Sequence, residues 1–151
     1  MANDLIKVSA TAQSTASAEA VFAVLASGET WPQWTPIKTY ALHTPGADGG
    51  ESVGAIRQWN SGIMMNLEQI VEMTAPTKFA YTLNESKLVK VKDYRADIVV
   101  TSTATGCTVT WNTQFRPKLV GTGWFWKLAL SKLGKQLADG VATYAATPAA
   151  K

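Results

Sequence analysis

Hydrophobic and polar residues alternate with period two over most of this 151-residue chain and switch to a helical period only near its end. From Leu5 to Thr15, Ile6, Val8, Ala10 and Ala12 oppose Lys7, Ser9, Thr11 and Gln13, which predicts a half-buried strand. Ser17 then suits an N-cap and Glu19 a first helical turn, where the dipole favours an anion. Val21, Val24 and Leu25 give that short helix its apolar face, and it ends near Ser27-Gly28. The prolines of Trp31-Pro32-Gln33-Trp34-Thr35-Pro36 allow at most one more helical turn. Tyr40 to His43 forms a weak strand pattern, and Pro45 to Gly50 a loop.

Strand signals then become nearly continuous. Val53, Ala55, Arg57 and Trp59 alternate with Gly54, Ile56 and Gln58, and Asn60-Ser61-Gly62 turns the chain into Ile63 to Met73, a hairpin. Ile63 to Met73 is apolar on both faces, so its facing stays open. Ala75-Pro76-Thr77 breaks to a strand with Phe79, Tyr81 and Leu83 on one face, ahead of a polar turn at Asn84 to Lys87. Asp93 to Thr101 and Cys107 to Phe115 pair across Ala104-Thr105-Gly106. Cys107, Val109, Trp111, Thr113 and Phe115 face inward. In the preceding strand Tyr94, Ala96, Ile98 and Val100 are the favoured inward set, which turns Arg95 outward; the other register would bury its guanidinium.

Gly121 to Tyr144 is long, proline-free and helically periodic, with Trp126, Leu130, Leu133, Leu137, Val141 and Tyr144 on one stripe. At about 1.5 Å per residue the helix is roughly 35 Å long and needs a wide apolar partner. Ala129 and Gly140 beside the stripe leave room for a cavity or for close packing. Helices segregated from about seven antiparallel strands predict an α+β fold, a twisted sheet curled around the last helix. A cavity opens wherever small residues hold the two apart.

Composition narrows the function. With 46% hydrophobic and 17% charged residues, the chain is expected to form one domain over residues 1–151. A net charge of +3 without an Arg-rich block argues against nucleic acid. No apolar run reaches the length of a membrane span and Met-Ala-Asn-Asp lacks a signal-peptide pattern, so a cytoplasmic protein without stable membrane insertion is expected. A lone Cys107 and a lone His43 provide neither a disulfide nor a metal set, and no Gly-rich phosphate loop is present. Neither metal nor cofactor is expected.

Among candidate residues, Arg57 shares parity with Ala55 and Trp59. Facing inward, it would orient a carboxylate, enolate or carbonyl oxygen; otherwise it is a surface or rim arginine, or one paired with Glu68. Trp34, Trp59, Tyr81 and Trp111 suit an aromatic wall or plain core, and Leu133 and Leu137 would face them from the helix. Trp124, Phe125, Trp126 and Leu128 surround the helix start on all sides and require a cover, from loops of the same chain or from a gate, subunit or membrane-surface contact. His43 reads as a solvent-exposed imidazole, Cys107 as a small buried residue, and Glu68 and Asp93 as solvated unless turned inward.

Five phrases in order, Ser17 to Leu25, Trp31-Pro32-Gln33-Trp34, Val53 to Trp59, Pro76 to Tyr81 and Gly106 to Trp111, resemble the START-like (SRPBCC) superfamily and, within it, the bacterial polyketide cyclase/dehydrase-like branch. The resemblance covers nearly the whole chain. It implies the helix-grip fold of the birch-pollen allergen, with an apolar cavity between a curved sheet and the last helix. The expected function is binding of a small hydrophobic molecule such as a lipid, polyketide or aromatic compound. The alternatives are a cyclase/dehydratase in which Arg57 and Tyr81 polarise a carbonyl, and an interaction module docking through the apolar helix start. A monomer or weak homodimer is expected.

Overall fold

The computed structural model describes residues 4–147; the Met1-Ala2-Asn3 start read above for targeting signals lies outside the described residues. The opening alternation becomes strand β1 (Ile6–Ser14), with even-numbered side chains turned inward and odd-numbered ones to solvent. Ser17 Oγ accepts the Ala20 N–H at 3.1 Å and starts helix α1 (Ala18–Ala26). A 3-10 helix, Gly28–Gln33, follows and holds Pro32. The remaining elements are β2 (Thr39–Thr44), β3 (Ile56–Ser61), β4 (Met64–Thr74), β5 (Lys78–Ser86), β6 (Val91–Thr103), β7 (Gly106–Pro117) and α2 (Gly123–Ala146).

The strands form one curved antiparallel sheet in the order β1-β7-β6-β5-β4-β3-β2. Strands β2 to β7 each pair with the next in sequence, and β1 closes the order by pairing with β7. The fold is α+β, as the segregation of helices from strands predicts. Several boundaries shift for local reasons. β3 begins at Ile56 because Gly54, at φ +96°, bends the chain beforehand and leaves Val53 exposed. Ile63 lies in the β3–β4 turn with Gly62 rather than in the strand, and β5 runs through the polar stretch to Ser86.

Bulges settle the facings that periodicity left open. The β4–β5 register shifts twice, with Asn84 of β5 the extra residue opposite Leu67 and Glu68 and Val71 of β4 the extra residue between Ile70 and Glu72; the second shift lets Ile70 and Met73, three residues apart, both pack into the core. In β6 a shift between Lys92 and Arg95, with Asp93 at φ +53°, turns both Val91 and Tyr94 inward. Arg95 points outward, where Nε lies 3.0 Å from Asp97 Oδ2 and Nη2 lies 3.1 Å from Glu72 Oε1.

Helix α2 packs chiefly on β1 and β7. Its small residues Gly134, Ala138, Ala142 and Ala145 are buried, and Ser14 Oγ donates to the Ala142 carbonyl at 2.7 Å. Leu130, Leu137 and Val141 are buried too, while Trp126, Leu133 and Tyr144 are half-buried against the core. Gly140 serves close packing rather than a cavity: a Cβ there would run into the Trp34 carbonyl oxygen. At Gly134 a Cβ would meet only Ala10 Cβ, at 3.8 Å. Gly140→Ala is therefore expected to destabilise the fold by about 1–3 kcal/mol. Gly134→Ala should instead leave stability unchanged or raise it by up to about 1 kcal/mol, the helix-propensity gain. Urea unfolding of the two variants checks this, and equal effects would disprove the asymmetry.

Candidate functional site: a cavity with a buried carboxyl

Arg57 is committed to the protein itself. Its side chain is 2% exposed and turns toward the end of α1, where Nη2 donates to the Leu25 carbonyl at 2.9 Å. Nε lies 2.9 Å from Glu51 Oε1 but off the line of its N–H, so that contact is ionic rather than a well-aimed hydrogen bond. The guanidinium also stands 5.5 Å, 5.6 Å and 5.0 Å from the ring centres of Trp31, Trp59 and Phe79. Glu51 in turn accepts the Gly28 N–H at 2.7 Å and a hydrogen bond from Tyr40. Arg57 does not line the cavity, contrary to the sequence expectation, because Leu25 and Glu51 draw it away.

The cavity, about 310 Å³, lies between the concave face of β3–β6 and helix α2. Trp31, Pro36 and Ile37 close one side; Met64, Leu83, Leu88 and Val89 supply apolar wall; Leu130, Leu133 and Leu137 cover it from the helix. Of the expected ligand-binding residues, Tyr81, Leu133 and Leu137 line it, whereas Trp34, Trp59 and Trp111 do not. Those three indoles pack around Trp31 instead, with ring centres 4.8, 4.8 and 6.0 Å away. Trp31 alone of the four presents a face to the cavity.

Glu68 is the residue that sequence reasoning placed on the wrong side. It stands opposite Arg57 in the β3–β4 register, lines the cavity and accepts the Trp59 Nε1–H through Oε1 at 2.8 Å. Burial pushes its carboxyl up to about 7, only partly offset by the Trp59 hydrogen bond and the Arg57 charge. Tyr81 and Tyr94 join it on the same wall, their ring centres 6.3 Å apart and both deeply buried. Burial holds both phenols well above their ordinary range, so they stay protonated. Asn66 completes the polar cluster, with a buried Oδ1 that has no hydrogen-bond partner. Asn66 and Glu68 share a parity on β4, the one signal that could have placed them together. His43 is exposed and contacts Thr44 Oγ1 at 2.8 Å, Asp93 is exposed and lies 3.3 Å from Arg116, and Cys107 is buried and free.

The raised Glu68 carboxyl gives a signed expectation. Between its ordinary value of 4.5 and about 7 the folded state holds the extra proton, so folding stability falls as pH rises through that window. Glu68→Gln keeps an acceptor oxygen for Trp59 and carries no charge. The variant's stability should match the wild type below the window, exceed it increasingly across the window and hold a constant margin above it. Urea unfolding over that pH series checks this, and a variant parallel to the wild type throughout rules the buried titration out.

Comparison with known proteins places this geometry. A START superfamily protein from Mycobacterium smegmatis superposes with a TM-score of 0.71 at 19% identity, covering 87% of this chain and 94% of that one. Norcoclaurine synthase from Thalictrum flavum, in complex with dopamine and hydroxybenzaldehyde, gives 0.69 at 16% identity, covering 94% and 87%. Ginseng major latex-like protein 151 from Panax ginseng gives 0.65 at 17% identity, covering 88% and 96%. At these identities the likeness is one of fold. No curated protein matches the sequence. The model of one family, described as polyketide cyclase / dehydrase and lipid transport, matches residues 6–147, nearly every residue of the sheet and both helices. The chain belongs to the polyketide cyclase / dehydrase and lipid transport family.

Proposed function

We propose that the protein binds a small hydrophobic molecule in the cavity between its sheet and α2. The observation that carries this reading is the cavity itself, about 310 Å³ with a largely apolar wall and its polar groups gathered on one side. At about 30 Å³ per water-sized group the space takes on the order of ten such groups. That suits a one- or two-ring compound or a short chain. The cyclase/dehydratase alternative through Arg57 lacks its cation, since that guanidinium is spent on Leu25 and Glu51.

Leu133→Trp and Leu137→Trp each fill the cavity from the helix side. Each is expected to weaken binding of a naphthalene-sized apolar probe, followed by quenching of tryptophan fluorescence, by at least about tenfold, or about 1.4 kcal/mol. Far-ultraviolet circular dichroism checks that the variants remain folded. Probe binding undiminished in both folded variants would remove the cavity as the binding site.

A further inference from the structure

The charges around the cavity do not balance. Arg57 is matched by Glu51, and both stand behind the wall, while Glu68 adds a second carboxyl that faces the cavity. Its Oε1 takes the Trp59 N–H, and the elements packed about it offer no further cation: Tyr81 from β5, Tyr94 from β6, Trp31 from the 3-10 helix and leucines from α2. Arg57 faces Glu68 across the strand pair but is already committed. A buried carboxyl in this state either keeps its proton or takes a cation.

Resting on the cavity-binding reading above, we infer that the guest carries a protonated amine on a small apolar body, the ammonium seated on the Glu68 carboxylate and the body against Trp31 and the α2 leucines. An ammonium offers three donors and no acceptor, the complement of a carboxylate. A fatty-acid or aromatic carboxylate meets the opposite: a like charge and no free guanidinium. The phenols of Tyr81 and Tyr94 stay neutral and leave the charge contrast to Glu68.

Three probes of one shape test this: 1-naphthylmethylamine, 1-methylnaphthalene and 1-naphthoate, titrated by quenching of tryptophan fluorescence at about pH 8, where an alkylamine is protonated. The amine is expected to bind at least about tenfold more tightly than the neutral probe, and the carboxylate more weakly than both. In Glu68→Gln the amine-to-neutral ratio should fall to within about twofold, and in the wild type the ratio should shrink at about pH 5.5, below the raised value of about 7 at which the Glu68 carboxyl takes up its proton. Binding of the neutral probe without preference for the amine, or a preference that survives both Glu68→Gln and low pH, overturns the amine assignment alone. Failure of all three probes to bind overturns the cavity reading and this inference with it.

A separate observation concerns the outer surface. Val120, Trp124 and Leu128 are 75%, 70% and 67% exposed, with Leu119 and Phe125 exposed beside them, so loops of the chain do not cover the apolar helix start. Trp124, Leu128 and Phe125 lie within about 100° of one another around α2, flanked by Lys127 and Lys132. Lys118, a third lysine, stands beside Leu119, and its N–H bonds the Lys90 carbonyl at 3.1 Å. Residues 116–138 contain no Asp or Glu. Aromatic and leucine side chains ringed by lysines match an interfacial contact with an anionic lipid surface. No helix among the described residues is long and apolar enough to span a membrane.

The geometry points to reversible docking of this face on anionic lipid. Co-sedimentation with phosphatidylcholine vesicles containing about one-third phosphatidylglycerol, against phosphatidylcholine alone, is expected to show at least about tenfold stronger binding to the anionic vesicles, reversed by salt. Trp124→Ser combined with Leu128→Ser, or Lys118→Glu combined with Lys127→Glu, should abolish it. Equal partition to both vesicle types, or binding unaffected by either double variant, overturns the proposal. A concentration-dependent dimer that Trp124→Ser dissociates, without lipid binding, assigns the face to a second copy and also overturns it.

Discussion

The buried guanidinium of Arg57 is the joint on which the rest depends. It takes the Leu25 carbonyl, one of the acceptors that the end of α1 leaves without a helical partner, and lies against the Glu51 carboxylate that in turn receives the Gly28 N–H. One side chain on β3 thereby fixes α1, the start of the 3-10 helix and the loop before β3. Trp31, placed by that 3-10 helix, donates its indole N–H to the same Leu25 carbonyl at 3.2 Å and so presents a fixed face to the cavity. Losing the Glu51 partner would strand a buried charge, the costly half of a buried pair. A ligand carboxylate drawing on Arg57 would have to break this joint, which is why the residue best suited by type to bind an anion does not serve the cavity.

The hollow has an equally local cause. Gly134, Ala138, Ala142 and Ala145 let α2 settle closely on the β1–β7 side of the sheet, and the Ser14 hydroxyl holds it there through Ala142. A straight helix lying close to one side of a curved sheet stands off from the other. Over β4 and β5 only the longer leucines bridge the gap, and Leu133, only half-buried, has space beneath it. The cavity follows from where the helix lies tightly, not from small residues placed over the void.

Elements with a strict period were legible from sequence. The β1 and β7 alternations, the Ser17 cap and the apolar stripe of α2 each follow from one backbone geometry repeated without interruption. The facing of Ile63 to Met73 was not, because both faces carry apolar residues and an extra residue at Val71 resets the parity within that strand, and a bulge is a pairing event between strands. The site suffered most from this. Tyr81, Leu133 and Leu137, expected toward the cavity, do line it, as does Tyr94, expected inward though not named as a lining residue, whereas Asn66 and Glu68 sit on the strand whose two faces periodicity did not distinguish. Arg57, whose facing the sequence left open, is buried, and its partner Glu51 could not be named because it comes from a loop whose path no periodicity describes. Gly140, left open from sequence between a cavity and close packing, is a close contact with Trp34, a residue more than a hundred positions away.

The two inferred sites adjoin. Leu88 and Val89 form part of the cavity wall, Leu88 is exposed, and the Lys90 carbonyl that follows them is bonded to Lys118, the first residue of the apolar and basic tip. On the helix, Leu130 of the cavity lies less than one turn beyond Lys127 of the tip. A surface that engaged Trp124 and Leu128 would therefore press on the same short segment and the same helical turn that wall the cavity at Leu88. A guest with an apolar body and a protonated amine would itself concentrate at an anionic lipid surface, by the same pairing of charge and apolar burial that the tip uses. On these two proposals the anionic surface would gather the cationic guest, the lysines would hold the protein to that surface, and the Glu68 carboxyl within the cavity would retain the guest.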